Sequence, residues 1–98
     1  MITRVDLPIL MAGVDDVVAN VTGAASAVAA GVQAVTAPAV AGTDEASALA
    51  SLNTGVHGAS FLAIAGQAFV ELARYAGVLG SAYGTYAETD AANGAVFG

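Results

Sequence analysis

From its seventh residue the chain repeats an apolar pattern. Leu7, Leu10, Val14, Val17, Val21, Ala24, Val28, Gly31 and Val35 follow one another at alternating spacings of three and four. Two helical turns take about seven residues, so the stripe holds to one side of an α-helix and fits a helix packed lengthwise on another. A second stripe one position on, Met11, Val18, Ala25 and Val32, widens that face. The rule returns in the second half. One line runs through Leu62, Ala65, Phe69, Leu72, Ala76, Leu79, Tyr83 and Tyr86, and a neighbouring line through Leu49, Leu52, Val56, Ala59, Ala63, Gly66, Val70, Ala73 and Gly77. Each helix therefore carries two apolar seams. One can face the companion helix, and the other needs a different cover.

The ends of these blocks are marked by chemistry. Asp6 suits the position that caps a first helix, and Pro8 is tolerated in its first turn. Pro38 disfavours helix at the residue before it and lacks a backbone donor, while Gly42 adds freedom to the chain. Thr43 is expected to cap the second helix, with Asp44 and Glu45 in the turn where the helix dipole favours anions. The expected layout is all-α, a single domain built as an antiparallel two-helix hairpin. Helix one covers about residues 7–33, the connector about 34–42, helix two about 44–87, and a flexible tail about 91–98. At ~1.5 Å per residue the second helix is roughly 65 Å long, so its end is expected to project past the first.

Charge and residue types exclude several functions. Two basic residues stand against eight acidic ones, for a net charge of −6, which repels phosphate backbones and argues against nucleic-acid binding. No cysteine is present, and His57 is the single histidine. The carboxylate pairs Asp15–Asp16 and Asp44–Glu45 are sequence neighbours, which diverge by about 100° on a helix and do not converge on one ion. The expectation is a non-enzymatic chain with no metal, cofactor or small-molecule substrate. Ala46 to Val70 carries no formal charge, which raises a membrane-associated hairpin as an alternative, but Ser47, Ser51, Asn53, Thr54, His57, Ser60 and Gln67 interrupt it and Ala and Gly make up its bulk. A self-associating helical bundle is the third reading. The start shows no basic region, apolar core and cleavage site of a conventional signal peptide.

Apolar residues are 57% of the chain, yet most are Ala and Val, with three Phe, three Tyr and no Trp. One hairpin cannot cover so many small apolar surfaces in a core of its own. The outer face of helix one, Thr22, Gly23, Ser26, Ala27, Ala29 and Ala30, has no charge, unlike a solvated helix. Glycines at 13, 23, 31, 55, 58, 66, 77, 80 and 84 weaken the helices and are expected to admit another backbone closely. Both features point to a protein partner. The residues expected to form the hairpin core or the partner interface are Leu7, Leu10, Val14, Val17, Val21, Val28, Phe61, Leu62, Phe69, Leu72, Leu79 and Tyr83.

The C-terminal stretch TYAETDAANG sets Tyr86 and Asp90 one helical turn apart and leaves carboxylates where the dipole disfavours them. A Tyr, three residues, an acid and the run Ala91-Ala92-Asn93, following a long Ala-rich helix that opens with TDEASALA, resembles the mycobacterial PE family. The resemblance spans the chain and is strongest from Thr43 to Gly98. It departs at the start, where Pro8 is followed by Ile9 instead of the Glu of the family's Pro-Glu pair. The resemblance implies heterodimerisation with a PPE-family protein in an elongated four-helix bundle. It also implies an EspG-type chaperone that grips that partner, and export of the folded pair by a type VII secretion system. In that family Tyr86 and Asp90 would be part of the export signal, and the protein would be secreted or reach the cell envelope after a cytoplasmic stage.

Overall fold

A computed structural model describes residues 4–98. It contains two helices, α1 over Leu7–Thr36 and α2 over Glu45–Phe97, with no strand among the described residues. The chain is all-helical, as its periodicity requires, and its two helices are joined as a hairpin. Its residues divide into two compact units, one of Met1–Val21 with Glu71–Gly98 and the other of Thr22–Val70.

In the first unit α1 begins where its cap dictates. The Asp6 carboxylate accepts the backbone N–H of Ile9 at 3.2 Å, and the Asp6 carbonyl accepts that of Leu10 at 2.9 Å. The first bond satisfies one of the donors orphaned at a helix start, and the second is the first bond of the helix itself. Leu7, Leu10, Val14, Val17 and Val21 are half-buried here, as are Leu79 and Tyr83 of α2. Among the described residues Ala76 is the one buried hydrophobic residue, at 5% exposure.

The second unit holds the bend. α1 runs on to Thr36, past the expected end near residue 33, because nothing between Ala34 and Thr36 opposes helix and the proline restricts only Ala37. The Thr36 hydroxyl donates to the Val32 carbonyl at 2.7 Å, and Ala37 N–H closes the last turn on Gln33 at 2.9 Å. The cap of α2 is Asp44 and not Thr43. Its carboxylate accepts the Ser47 N–H at 2.6 Å, and this bond, with a further one from the Ser47 hydroxyl, holds the Asp44 carboxyl below its ordinary value of 3.8. The Ser51 hydroxyl donates to the Pro38 carbonyl at 2.7 Å and ties the connector to α2.

Two glycines set the approach of the helices in this unit. A Cβ on Gly55 would stand 2.5 Å from the carbonyl oxygen of Thr36, and one on Gly58 would fall on that of Val35. Main chain meets main chain there, and no other residue type leaves the space. Gly13, Gly23, Gly31, Gly66, Gly77, Gly80 and Gly84 behave otherwise. A Cβ on any of them meets nothing within 4 Å, so the close approach expected at all of these positions occurs within the hairpin at Gly55 and Gly58 alone.

The end of α2 also differs from expectation. Helix continues through 91–97, where a flexible tail was expected, and closes at Gly98, which has φ 75° and donates its N–H to Gly94 at 3.0 Å. Ala91, Ala92 and Ala95 are the strongest helix formers, and no proline intervenes.

Candidate functional site

The structure sorts the two seams of each helix. On α1 the line Leu7, Leu10, Val14, Val17, Val21, Val28, Gly31 and Val35 is half-buried, whereas Met11, Val18 and Val32 are exposed. The inward line passes through Ala25 and not Ala24, because a straight helix drifts against a strict seven-residue repeat. On α2, Leu62, Ala65 and Phe69 are half-buried in the second unit, and Ala76, Leu79 and Tyr83 point inward in the first. Leu49, Leu52, Val56 and Val70 are exposed. Apart from the exposed Ala24, Leu72 and Tyr86, the first-listed seam of each helix closes the hairpin, and the second, apart from Ala25, lies open.

Ten of the twelve expected core or interface residues are half-buried: Leu7, Leu10, Val14, Val17, Val21, Val28, Leu62, Phe69, Leu79 and Tyr83. Phe61 and Leu72 are exposed, at 54% and 44%, and belong to the open face. Ile64, beside Phe61 in the second unit, and Tyr75 and Val78, near Leu72 in the first, are exposed as well and escaped the two-seam reading. Ile64 lies three residues from Phe61, Tyr75 three from Leu72 and Val78 three from Tyr75, and that spacing was the signal that could have found them.

The uncovered area is large. The chain exposes 7154 Å². A folded monomer of 9.4 kDa exposes roughly 5,000 Å² by the usual scaling of area with mass. The chain therefore leaves more of its surface uncovered than a compact fold of the same mass. By length and composition both helices could also cross a membrane. No group of three or more His, Cys, Asp or Glu side chains gathers among the described residues.

Tyr86 and Asp90 lie on one turn of α2, both exposed. They do not stand clear of the rest of the hairpin. Arg4, Val5, Asp6, Leu7 and Pro8, the segment leading into α1, line a cleft of about 540 Å³ together with them. Position 9, where the family's Glu is missing, presents Ile9 at 70% exposure. Counted from the Asp6 cap it is the third helical residue, the place from which a Glu reaches back to the cap's own N–H.

Fold and surface thus define a helical hairpin whose inner seam closes it and whose outer apolar faces lie open. The PE family profile matches residues 7–93, and the chain belongs to the PE family. That membership points toward protein–protein interaction. No curated protein and no solved structure matches the chain.

Proposed function

We propose that this PE protein is non-enzymatic and pairs with a PPE-family protein, its open seams completing a four-helix bundle with two helices of the partner. The observation that carries the reading is the uncovered apolar face: one buried hydrophobic residue among the described ones, against Phe61, Ile64, Leu72, Tyr75 and Val78 held at the surface. Desolvating such side chains is the main favourable contribution to association. The pair is then exported folded through a type VII secretion system, with an EspG-type chaperone acting through the PPE partner and Tyr86 and Asp90 forming part of the signal. The protein is cytoplasmic before export and reaches the envelope or the medium after it.

Export of the native pair carrying Tyr86→Ala or Asp90→Ala, with the intracellular heterodimer quantified alongside, tests the signal. Loss of export with the complex intact is expected, and unchanged export removes Tyr86 and Asp90 from the signal. Coexpression tests the pairing. The chain alone is expected to aggregate or lose helix, and a PPE protein is expected to rescue it. A stable folded homodimer would instead favour self-association. Since both helices are long and apolar enough to span a bilayer, a membrane-associated hairpin is the second reading, and partner-independent, carbonate-resistant flotation with liposomes would favour it.

A further inference from the structure

We propose that the export element is two-part: Arg4 and the segment it heads are read together with Tyr86 and Asp90, as one cleft. The reader is a protein surface that brings an acidic side chain to Arg4 and a basic one to Asp90. The inference rests on the reading of Tyr86 and Asp90 as an export signal.

The cleft itself is the first support. A helical Tyr and acid four residues apart form a flat pair on one turn, but here the segment from Arg4 to Pro8 supplies a second wall and makes a concave site of about 540 Å³. A protein that touches Tyr86 and Asp90 from outside meets that wall as well.

Charge is the second. The chain has two basic residues in all, Arg4 and Arg74. Arg74 is paired with Glu71 at 2.8 Å, whereas Arg4 is exposed and has no such ion pair among the described residues. Of the acids in the cleft, Asp6 already accepts the N–H of Ile9, while Asp90 is exposed on the α2 wall. One cation and one anion are therefore presented on opposite walls with the ring of Tyr86 beside them. A surface offering the reverse charges over an apolar contact complements this arrangement. In a chain of net charge −6, Arg4 is the feature that distinguishes the cleft from the rest of the surface.

Charge reversal at Arg4 separates recognition from folding. Arg4 precedes α1, and an anion near a helix N-terminus is favoured by the dipole, so Arg4→Glu does not weaken the helix. Export of the native pair is compared for wild type, Arg4→Glu, Arg4→Lys, Tyr86→Ala and Asp90→Ala, with the intracellular heterodimer measured in each. Arg4→Glu is expected to lower export on the order of tenfold with the heterodimer undiminished, and Arg4→Lys to retain it. Normal export of Arg4→Glu while Tyr86→Ala stays in the cell overturns the two-part element and leaves the α2 signal standing. Depletion of the heterodimer by Arg4→Glu assigns the residue to assembly and overturns it too. Normal export of both α2 variants removes the signal reading and this proposal with it.

Discussion

Replacing Gly58 by Ala sets two effects of known size against each other. Ala is preferred to Gly inside a helix by about 1 kcal/mol, so propensity alone predicts a gain. The structure predicts the opposite sign. The new methyl would fall on the carbonyl oxygen of Val35, with the Thr36 nitrogen 3.2 Å away. At Gly55 the nearest atom, the Thr36 oxygen, is 2.5 Å from the added carbon, and ordinary contact begins at 3.4 Å, so the helices must part by 0.9 Å there and by more at Gly58. The obstacle is main chain and cannot rotate aside. Forcing a methyl into a filled site costs about 1–3 kcal/mol, and this site belongs at the upper end. After the propensity gain, Gly58→Ala should lose roughly 1–2 kcal/mol, and Gly55→Ala less.

The assay is thermal unfolding of the protein in its proposed complex, followed by far-UV circular dichroism, where 1 kcal/mol moves the midpoint by about 2–8 °C across the size range of single domains. Gly94→Ala is the control, since a Cβ there meets nothing within 4 Å and should leave the midpoint unchanged or raise it. A Gly58→Ala protein that melts at or above the wild-type temperature would refute the close approach of the two backbones.

Three further outcomes follow from the described contacts. Ile9→Glu places an anion in the first turn of α1, three residues after its Asp6 cap, and should raise stability by about 0.3–1 kcal/mol at low salt, seen as a higher melting midpoint that shrinks as salt is added. Because the Asp44 carboxyl is held below its ordinary value of 3.8, its contribution is complete above that value and is lost as pH falls through the lowered one. Asp44→Asn keeps a cap without the titration, so its midpoint should fall less than that of wild type between pH about 6 and about 2. Phe61→Ser removes an exposed aromatic and Phe69→Ser a half-buried one. The first should weaken partner capture by about 1–3 kcal/mol with helix content unchanged, whereas the second should lower helix content as well.

Much of the hairpin is written in the apolar spacing. The line from Leu7 to Val35 and the line from Leu62 to Tyr83 are the half-buried lines, because a stripe of Leu, Val and Phe has no better place than the companion helix. Where the inward line is made of Ser47, Ser51, Gly55 and Gly58, the same spacing was present without the hydrophobicity that makes it visible. Their packing rests on one hydroxyl bond and on absent side chains, and neither shows in an apolar pattern. Helix ends were read early at Thr36 and in the tail, since a proline's restriction reaches back only one residue and the Ala-rich run from Ala91 to Phe97 holds no proline. Tyr86 and Asp90 share a turn, as their spacing requires, but Arg4, Val5 and Asp6 lie some eighty positions earlier in the sequence, and only folding brings them to the same cleft.

That Ala76 alone is buried among the described hydrophobic residues has a consequence for how the cell keeps this protein. A hairpin that hides so little of itself opens often, and its lifetime among proteases follows the fraction of time it spends open. Surplus copies without a cover would be cleared, and the quantity that survives would track the supply of whatever molecule lies on the outer face, however strongly the gene is expressed.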